Sequence, residues 1–223
     1  DPNAVQMTGN SSFTWTVTDA VYVGAVTMAQ GNQDADVSAA SKADERGDET
    51  LTYTYTVVNG SGTTATNTSV VLNLPTAGDT LGSTFTYDLT GPVSVPTTYS
   101  MSGTPLTATV LYSKQAYTTD ASATAADLTN FVTAAEIGDD WASVRAVYIN
   151  FNSVPAQDTT GRVTLTGTAE QFIAQGTHVG YLNSFTFYNG SPVSEATTAT
   201  AAKITINGTS TVTAQAPYVE VNG

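Results

Sequence analysis

The chain has 223 residues, no cysteine and a formal net charge of −13, with only six lysines and arginines. This balance argues against DNA, RNA or anionic lipid as partners, because a polyanion is bound by clustered cations. The absence of cysteine excludes disulfides, thiolate metal sites and a cysteine nucleophile. No run of residues is long and apolar enough for a transmembrane helix, so membrane insertion is not expected.

Threonine makes up about a fifth of the chain, far above ordinary usage. A β-branched hydroxyl side chain suits the solvent face of a strand, so this enrichment predicts many half-exposed strands. Together with low lysine and abundant serine, asparagine and glycine, it is typical of an extracellular β-rich module. The chain begins without a methionine, and we expect it to be part of a longer protein.

The first part of the chain predicts strands over residues 11–23 and 21–28, followed by an acidic loop over residues 30–48. Four carboxylates of this loop are candidate ligands of a Ca²⁺ ion: Asp34, Asp36, Asp44 and Asp48. Calcium takes about six to eight hard oxygen ligands, which a flexible acidic loop can supply. The spacing does not match the helix–loop–helix calcium motif. A solvated loop without metal is the alternative, and no other cofactor is expected.

Residues 48–75 are the stretch around which the other predicted strands are arranged. Apolar side chains recur there at alternate positions with threonines between them: Leu51, Tyr53, Tyr55 and Val57. This is the period of two of a half-buried strand. Residues 68–74 form a second apolar run, and Asn59-Gly60-Ser61-Gly62 can take the left-handed conformations of a turn. The stretch therefore predicts a β-hairpin.

Further strands are predicted along the rest of the chain, at residues 84–89, 106–112, 144–151, 162–168 and 181–188. The last hairpin is predicted to join residues 202–206 and 209–214 through Asn207-Gly208. Residues 144–151 are apolar on both faces, which indicates a strand covered on both sides. Residues 118–140 are the credible helical region, with a helix ending near Phe131 and a further turn that Asp139 caps and that carries Trp141.

Many short strands with one small helical insert predict an all-β fold, an antiparallel β-sandwich that is Ig-like or jelly-roll-like. No linker rich in proline and glycine divides the chain. We therefore expect a single elaborated domain over residues 1–216, with residues 217–223 as a linker to a following module.

Two stretches contain motifs of a known kind. The first contains Tyr55-Thr56-Val57-Val58-Asn59, Thr66-Asn67-Thr68-Ser69-Val70 and Leu74-Pro75, and the second runs from Asp140-Trp141 through Val144-Arg145 to Arg162-Val163. These stretches resemble segments of Gram-positive cell-wall-anchored surface adhesins. The resemblance covers about half of the chain. It implies an extracellular, cell-wall-attached module, monomeric within a longer chain, which serves either as a ligand-binding head or as a stalk spacer.

Three aromatic residues flank the predicted loops and the insert, and they are candidates for stacking on a sugar: Tyr99, Tyr117 and Trp141. Related surface modules contain internal isopeptide bonds between a lysine and an asparagine or aspartate beside a buried acid. Lys114 and Lys203 lie at strand ends and are candidates for such a bond. The single histidine, His178, has no nucleophile elbow to serve, so no catalytic residue is expected.

These observations predict a non-catalytic adhesion module that binds a glycan or extracellular protein of the host or environment. The alternative is a structural spacer without a ligand of its own. A surface carbohydrate-active hydrolase is less favoured, because it would need a cleft with two facing carboxylates.

Overall fold

A computed structural model describes residues 22–28, 50–170, 176–198 and 201–208, which form two antiparallel sheets packed face to face. The described elements are β1 (Tyr22–Met28), β2 (Leu51–Asn59), β3 (Ala65–Asn73), β4 (Tyr87–Leu89), β5 (Thr109–Ser113), α1 (Ala134–Ile137), β6 (Ala146–Val154), β7 (Asp158–Thr159), β8 (Val163–Ala169), β9 (Gly176–Phe187), β10 (Ser194–Glu195) and β11 (Ala202–Gly208). The predicted all-β antiparallel sandwich is therefore confirmed. In this described part of the chain, no helix is long and apolar enough to cross a membrane.

The two sheets have different strand orders. The first runs β1-β2-β8-β4, with β7 pairing with the end of β2. The second runs β10-β9-β3-β6-β5, with β11 pairing with β9. Each recorded pairing is antiparallel. The long strand β9 has β11 beside its first half and β3 and β10 beside its second half, so its two halves have different partners.

The side chains between the sheets form the inner core. They come from alternate positions of the strands, as the period-two pattern of the sequence predicts, and the largest fully buried ones include Tyr53, Tyr55, Tyr87, Phe85, Phe151, Leu72, Ile149 and Leu165. The predicted alternation of β2 is confirmed, because Leu51, Tyr53, Tyr55 and Val57 are all at most 2% exposed.

Buried tyrosines of the inner core connect the sheets through their hydroxyls. Tyr53 in β2 donates to the Gly180 carbonyl oxygen of β9 at 2.9 Å, and the Tyr55 hydroxyl lies 3.0 Å from that of Thr186. Burial raises the pKa of Tyr53 and raises that of Tyr55 to about 12. Both hydroxyls are therefore neutral at physiological pH, and each has a hydrogen-bond partner inside an otherwise apolar layer.

The connection from β2 to β3 is not the predicted hairpin, because β2 lies in the first sheet and β3 in the second. The side chain of Asn59 fixes this crossing, donating to the carbonyls of Thr63, Val154 and Pro155 at 2.8–3.0 Å. Its Oδ1 accepts from the amide and hydroxyl of Ser61 at 3.0 and 2.7 Å. The turn is thus held by a buried amide. The left-handed conformations predicted for it are not adopted, because the positive φ angles of the described chain lie at other residues.

A second hydrophobic cluster, the outer core, lies on the other face of the second sheet. It contains Val71, Ala146, Tyr148, Phe185 and Phe187 from the strands, with Tyr117, Leu128 and Phe131 from the segment that crosses over them. Strand β6 contributes to both cores, since Val147 and Ile149 face inward. The prediction that this strand is covered on both sides is confirmed.

The segment over the outer core is mostly irregular, so the helix predicted to end near Phe131 is wrong. Asp120 and Asp127 instead form side-chain turns, each accepting from the amide and hydroxyl two residues later, at 2.6–3.0 Å. Helix α1 is a single turn with a Thr133–Glu136 capping box. The predicted turn that carries Trp141 is present, but Asp140 rather than Asp139 is its N-cap.

Beyond the C-terminal end of β6, the buried carboxylate of Asp158 holds the loop around residue 101. Asp158 accepts from the amides of Met101 and Ser102 at 2.8 and 3.2 Å, from its neighbour Thr159 at 2.7 Å, and from the Ser102 hydroxyl. Burial by itself would raise the pKa of Asp158, but these hydrogen bonds outweigh it and lower the pKa.

Strand β11 continues through Asn207 and Gly208, which pair with β9, so the turn predicted at these two residues is wrong. The predicted strand over 209–214, the linker over 217–223 and most of the predicted strand over 11–23 lie outside the described residues. The single domain over residues 1–216 stays a prediction.

Candidate functional site: a cleft beside the outer core

A cleft of about 500 Å³ opens at the edge of the outer core. Its walls are the loop over residues 74–81 and the segment over residues 116–119, and its remaining lining comes from Asn73, Arg145, Asn183, Phe185 and Glu195. Small-molecule sites usually measure about 300–1,000 Å³ and combine apolar walls with a few polar groups. The cleft has this size and composition.

The first wall is a loop built around Asp79. One carboxylate oxygen of Asp79 accepts from the amides of Leu81 and Ser83 at 3.0 and 2.9 Å, and the other accepts from Thr76 at 3.3 Å. Gly82 has a φ of 84°, which an L side chain rarely adopts, so the chain reverses there at little cost. The carboxylate of Asp79 therefore shapes the wall, with both oxygens occupied by backbone donors.

The second wall is held by Asn73, the last residue of β3. Its Nδ2 donates to the carbonyl of Tyr117 at 2.8 Å, and its Oδ1 accepts from the amide of the same residue at 2.9 Å. This two-way pairing imitates a strand contact, and it fixes the segment over 116–119 beside the sheet. The Tyr117 ring then packs edge-on against Phe185, with ring centroids 5.2 Å apart.

The floor of the cleft carries a buried amide with one unmatched atom. Asn183 in β9 is 6% exposed, and its Nδ2 donates to Oε1 of Glu195 in β10 at 3.0 Å. Its Oδ1 is buried and has no hydrogen-bond partner among the described residues. A buried acceptor left unmatched costs about 1–3 kcal/mol, so a native protein seldom keeps one without a compensating role.

Arg145 stands where the cleft meets the first sheet. Its backbone is fixed by hydrogen bonds to Ser113 and Leu74 at 2.8 and 2.9 Å, and its Nη1 donates to the Val144 carbonyl at 2.7 Å. The same atom lies 3.4 Å from the carboxylate of Asp88. Burial raises the pKa of Asp88, and the guanidinium of Arg145 opposes this shift. Both side chains are about a quarter exposed, so the pair is partly screened by water.

The cleft thus offers distinct chemical groups over a short distance. Glu195 provides hydrogen-bond acceptors, Arg145 provides donors, and the apolar wall includes Leu74, Leu81 and Phe185. Arg145 is the cationic side chain of the lining, whereas Asp79 and Glu195 are acidic. The arrangement can bind a polar, uncharged group of small size.

The three aromatic residues predicted to bind a sugar are not brought together. Tyr117 does line the cleft, but its ring is 6% exposed and belongs to the outer core. Tyr99 is equally buried, in the inner core, and its hydroxyl donates to the Ser153 carbonyl. Trp141 is partly exposed and packs edge-on against Tyr112 at 5.0 Å, outside the cleft lining. A shared stacking platform of these three rings is therefore not formed.

The two lysines predicted for an isopeptide bond are both exposed. Lys114 forms a surface ion pair with Asp140 at 2.5 Å, and each side chain of the pair is more than half exposed. Such a bond needs a buried acid beside the lysine, whereas Lys114 and Asp140 pair at the surface, so the isopeptide bond stays a prediction. Lys203 in β11 is likewise at the surface, which argues against a buried crosslink there.

The predicted calcium ligands Asp34, Asp36, Asp44 and Asp48 lie outside the described residues, so that site stays a prediction. A fall in melting temperature on adding a chelator would support it, and an unchanged melting curve would contradict it. Within the described part of the chain, no cluster of three or more acidic or histidine side chains could hold a metal ion.

The sequence does contain a signal for the cleft. Asn73 ends an apolar strand in VVLNLP, and Asn183 follows Tyr181-Leu182 in YLNSFTFY. An asparagine at a buried strand position must find partners, so it marks either a structural connection or a site. Asn73 proves to be the connection and Asn183 the unmatched group.

No protein-family model matches the chain, and no curated protein matches it. Among solved structures it is similar to the full-length major pilin SpaD from Corynebacterium diphtheriae, at 13% sequence identity and a TM-score of 0.32. The match covers 83% of this chain and 33% of the pilin chain. The chain therefore spans about a third of the length of that pilin, and a likeness of this degree does not identify a family.

Proposed function

We propose that this chain is a non-catalytic, extracellular binding module of a Gram-positive surface protein that is attached to the cell wall through a longer chain. Its ligand is a glycan or protein of the host or environment, and the cleft beside the outer core is the binding site. The observation that carries this proposal is the cleft itself, which has a volume of about 500 Å³ and combines apolar walls with the polar side chains of Arg145 and Glu195.

The sequence supports the extracellular setting. The chain is acidic, rich in threonine and free of cysteine, and residues 55–75 resemble a segment of cell-wall-anchored adhesins. In the structure, Asn59 of that segment ties the end of β2 to the backbone around Val154 and Pro155. Asn59 of this segment therefore has a structural role in the sandwich, and binding is assigned to residues outside the segment.

A spacer without a ligand is the alternative function. A spacer has no ligand to accommodate and so has no need of an open cleft that combines apolar walls with polar groups. The cleft therefore favours a binding module over a spacer.

A hydrolase is less well supported. Asp79 and Glu195 both line the cleft, but both oxygens of Asp79 accept backbone hydrogen bonds that shape the loop. Glu195 is exposed and is bonded to Asn183. This pair lacks the free, facing carboxylates that glycoside hydrolysis requires.

The proposal is tested with a glycan array and a panel of mucins and matrix proteins, using the chain and two tryptophan variants. Ala116→Trp adds a large side chain at an exposed position of the cleft wall, so it blocks the cleft without entering a core. Ala156→Trp makes the same change at an exposed position just after the C-terminal end of β6, and it serves as the matched control.

We expect at least one ligand that the wild-type chain and Ala156→Trp bind and that Ala116→Trp does not. If the wild type binds nothing on any panel, the spacer is the better interpretation. If Ala116→Trp binds as well as the control, the chain binds its ligand at another surface.

A further inference from the structure

The first and last of the described strands lie in different sheets. Strand β1 pairs with β2 in the first sheet, and strand β11 pairs with β9 in the second. Tyr22, the first residue of β1, lies opposite Asn59, the last residue of β2. Asn59 in turn bonds to the carbonyl of Val154, the last residue of β6. Strand β1 therefore starts at the end of the sandwich where β2 and β6 finish, which we call the Asn59 end.

Strand β11 finishes at the opposite end. Strand β3 runs away from the Asn59 end and stops at Asn73, opposite Asn183 of β9. Strand β9 is antiparallel to β3, so its first residue, Gly176, lies beyond this far end of β3. Gly208, the last residue of β11, is opposite Gly176. The chain thus enters the described sandwich at one end and leaves it at the other.

The strands of the two sheets run along a common direction. Tyr53 of β2 bonds to Gly180 of β9, and Tyr55, further along β2, bonds to Thr186, further along β9. Both strands therefore run toward the Asn59 end. Because β1 and β11 are antiparallel to them, both of these outer strands run away from that end.

Tension between the two ends of the chain would load β1 and β11 lengthwise. The hydrogen bonds of an antiparallel ladder are perpendicular to its strands, so a force along β1 shears all seven of its register pairs with β2 together. Strand β11 also has seven register pairs, and it would be sheared against β9 in the opposite direction. A strand that slips by one residue turns every side chain to the wrong face, so small slips are resisted as well.

We propose that the sandwich has a mechanical function beyond ligand binding, in which it transmits tension between the chain before Tyr22 and the chain after Gly208. Strands β1 and β11 are its two clamps, the strands that must be sheared before the sandwich can extend. No described residue of either clamp lines the cleft. Tension held by the clamps therefore leaves the candidate site formed, and this function is independent of the ligand that the cleft binds.

The test is single-molecule pulling in optical tweezers, with the direction of the force as the variable. The chain has no cysteine, so one introduced cysteine gives a unique attachment point in addition to tags at the two termini. Gly62→Cys is suitable, because Gly62 follows β2 at the Asn59 end, is exposed, and would place a Cβ atom where no other atom lies within 4 Å. The melting temperature of this variant should equal that of the wild type.

Three pairs of attachment points load the same fold in different ways. Force between the two termini shears both clamps, and force between residue 62 and the C-terminus shears β11 alone. Force between the N-terminus and residue 62 instead separates Tyr22 from Asn59, so it opens the pairs of β1 and β2 one after another. At one loading rate, we expect the first two geometries to rupture at forces at least about twofold higher than the third, because the direction of force decides how many pairs break together.

A proline in β1 assigns the first clamp. Val57 bonds to Thr160 on the far side of β2, so its neighbour Thr56 presents its backbone groups to β1, opposite Ala25. Ala25→Pro removes the amide donor at this position. It should lower the rupture force between the termini and leave the force between residue 62 and the C-terminus unchanged, since β1 is not loaded in that geometry. The unchanged force also shows that the rest of the sandwich is folded.

Equal rupture forces in all three geometries would overturn the mechanical function. A force between residue 62 and the C-terminus as low as that between the N-terminus and residue 62 would overturn the clamp at β11. The measurement uses no ligand, so its failure leaves the binding module in place if the glycan or protein panels succeed. High forces together with negative panels would instead support a spacer that bears tension.

Discussion

The inner core and the outer core lie on opposite faces of the second sheet and share strand β6, yet the chain specifies them differently. The inner core uses alternate residues of regular strands, such as Tyr53, Tyr55 and Val57 in β2. The outer core instead has an irregular cover, held by side-chain turns at Asp120 and Asp127 and by the pairing of Asn73 with Tyr117. The cleft lies where this cover ends, so the less regular region carries the candidate site.

The largest effect is expected from a cavity in the inner core. Phe151 is 2% exposed there, and Phe151→Ala should reduce the free energy of unfolding by about 3–5 kcal/mol, through lost transfer energy and an unfilled cavity. Urea denaturation followed by tryptophan fluorescence measures the loss. A change below about 1 kcal/mol would mean that the inner core can collapse around the gap.

Added volume should also be costly in the inner core. A Cβ atom on Gly167 would lie 2.3 Å from the carbonyl oxygen of Asp88 and 2.6 Å from the buried ring of Tyr87. Gly167→Ala should therefore destabilise the protein by about 1–3 kcal/mol, since backbone and a fully buried ring must shift. Ala126→Val, at a half-exposed position of the outer core, is the control and should change the same denaturation midpoint little. Equal effects of the two variants would contradict the contrast between the cores.

A cavity in the outer core should be milder and more local. Phe131 is partly exposed and contacts Tyr117 and Tyr148 at ring-centroid distances of 6.2 Å. Phe131→Ala should cost about 1–2 kcal/mol, because only part of the ring's transfer energy is lost. Hydrogen exchange should rise across residues 116–131 and stay unchanged in β2 and β8. Uniform exchange through all strands would show that the two cores unfold as one unit.

A stability effect of similar size should depend on pH. The folded-state pKa of Asp158 is lowered, so its carboxylate stabilises the fold above the unfolded pKa of about 3.9 and loses that contribution as pH falls through the folded value. Asp158→Asn should cost about 1–2 kcal/mol at neutral pH, because the charge-assisted hydrogen bonds from the loop around residue 101 weaken. The difference from wild type should shrink below about pH 4 in urea titrations. A difference independent of pH would assign the loss to packing rather than charge.

The sequence predicted the fold class because alternation is a local property. Tyr53 and Tyr55 alternate with threonines, which indicates that one face of the strand is buried. Apolar residues on both faces of β6 indicate a strand that is covered on both sides. The pairing partner of each strand was harder to predict from the sequence. Residues 59–62 look like a hairpin turn, but β2 and β3 lie in different sheets, and a long-range hydrogen bond from Asn59 to Val154 holds the connection between them. The cover of the outer core was mistaken for a helix, since Leu128 and Phe131 have helical spacing that packing on the sheet alone explains.

The candidate site was less predictable than the fold. Aromatic residues beside loops suggested Tyr99 and Tyr117, but large rings gain most from burial and both enter the cores. Asn183 lies in β9, Glu195 lies in β10 and Arg145 comes just before β6, so their meeting depends on the pairing of β9 with β3 and β10 and of β3 with β6. No spacing along the chain encodes that meeting.

The buried amide of Asn59 also affects how the protein ages chemically. An asparagine followed by glycine slowly deamidates when the glycine nitrogen attacks the side-chain carbonyl carbon and ammonia leaves. Asn59-Gly60 has this sequence, but hydrogen bonds occupy both ends of its amide. Asn189-Gly190 is exposed, so peptide mapping of stored protein should find isoaspartate at residue 189 well before residue 59. Early damage at residue 59 would show that the connection between the sheets opens on the timescale of storage, whereas its absence would show that the hydrogen bonds of this amide protect it from deamidation.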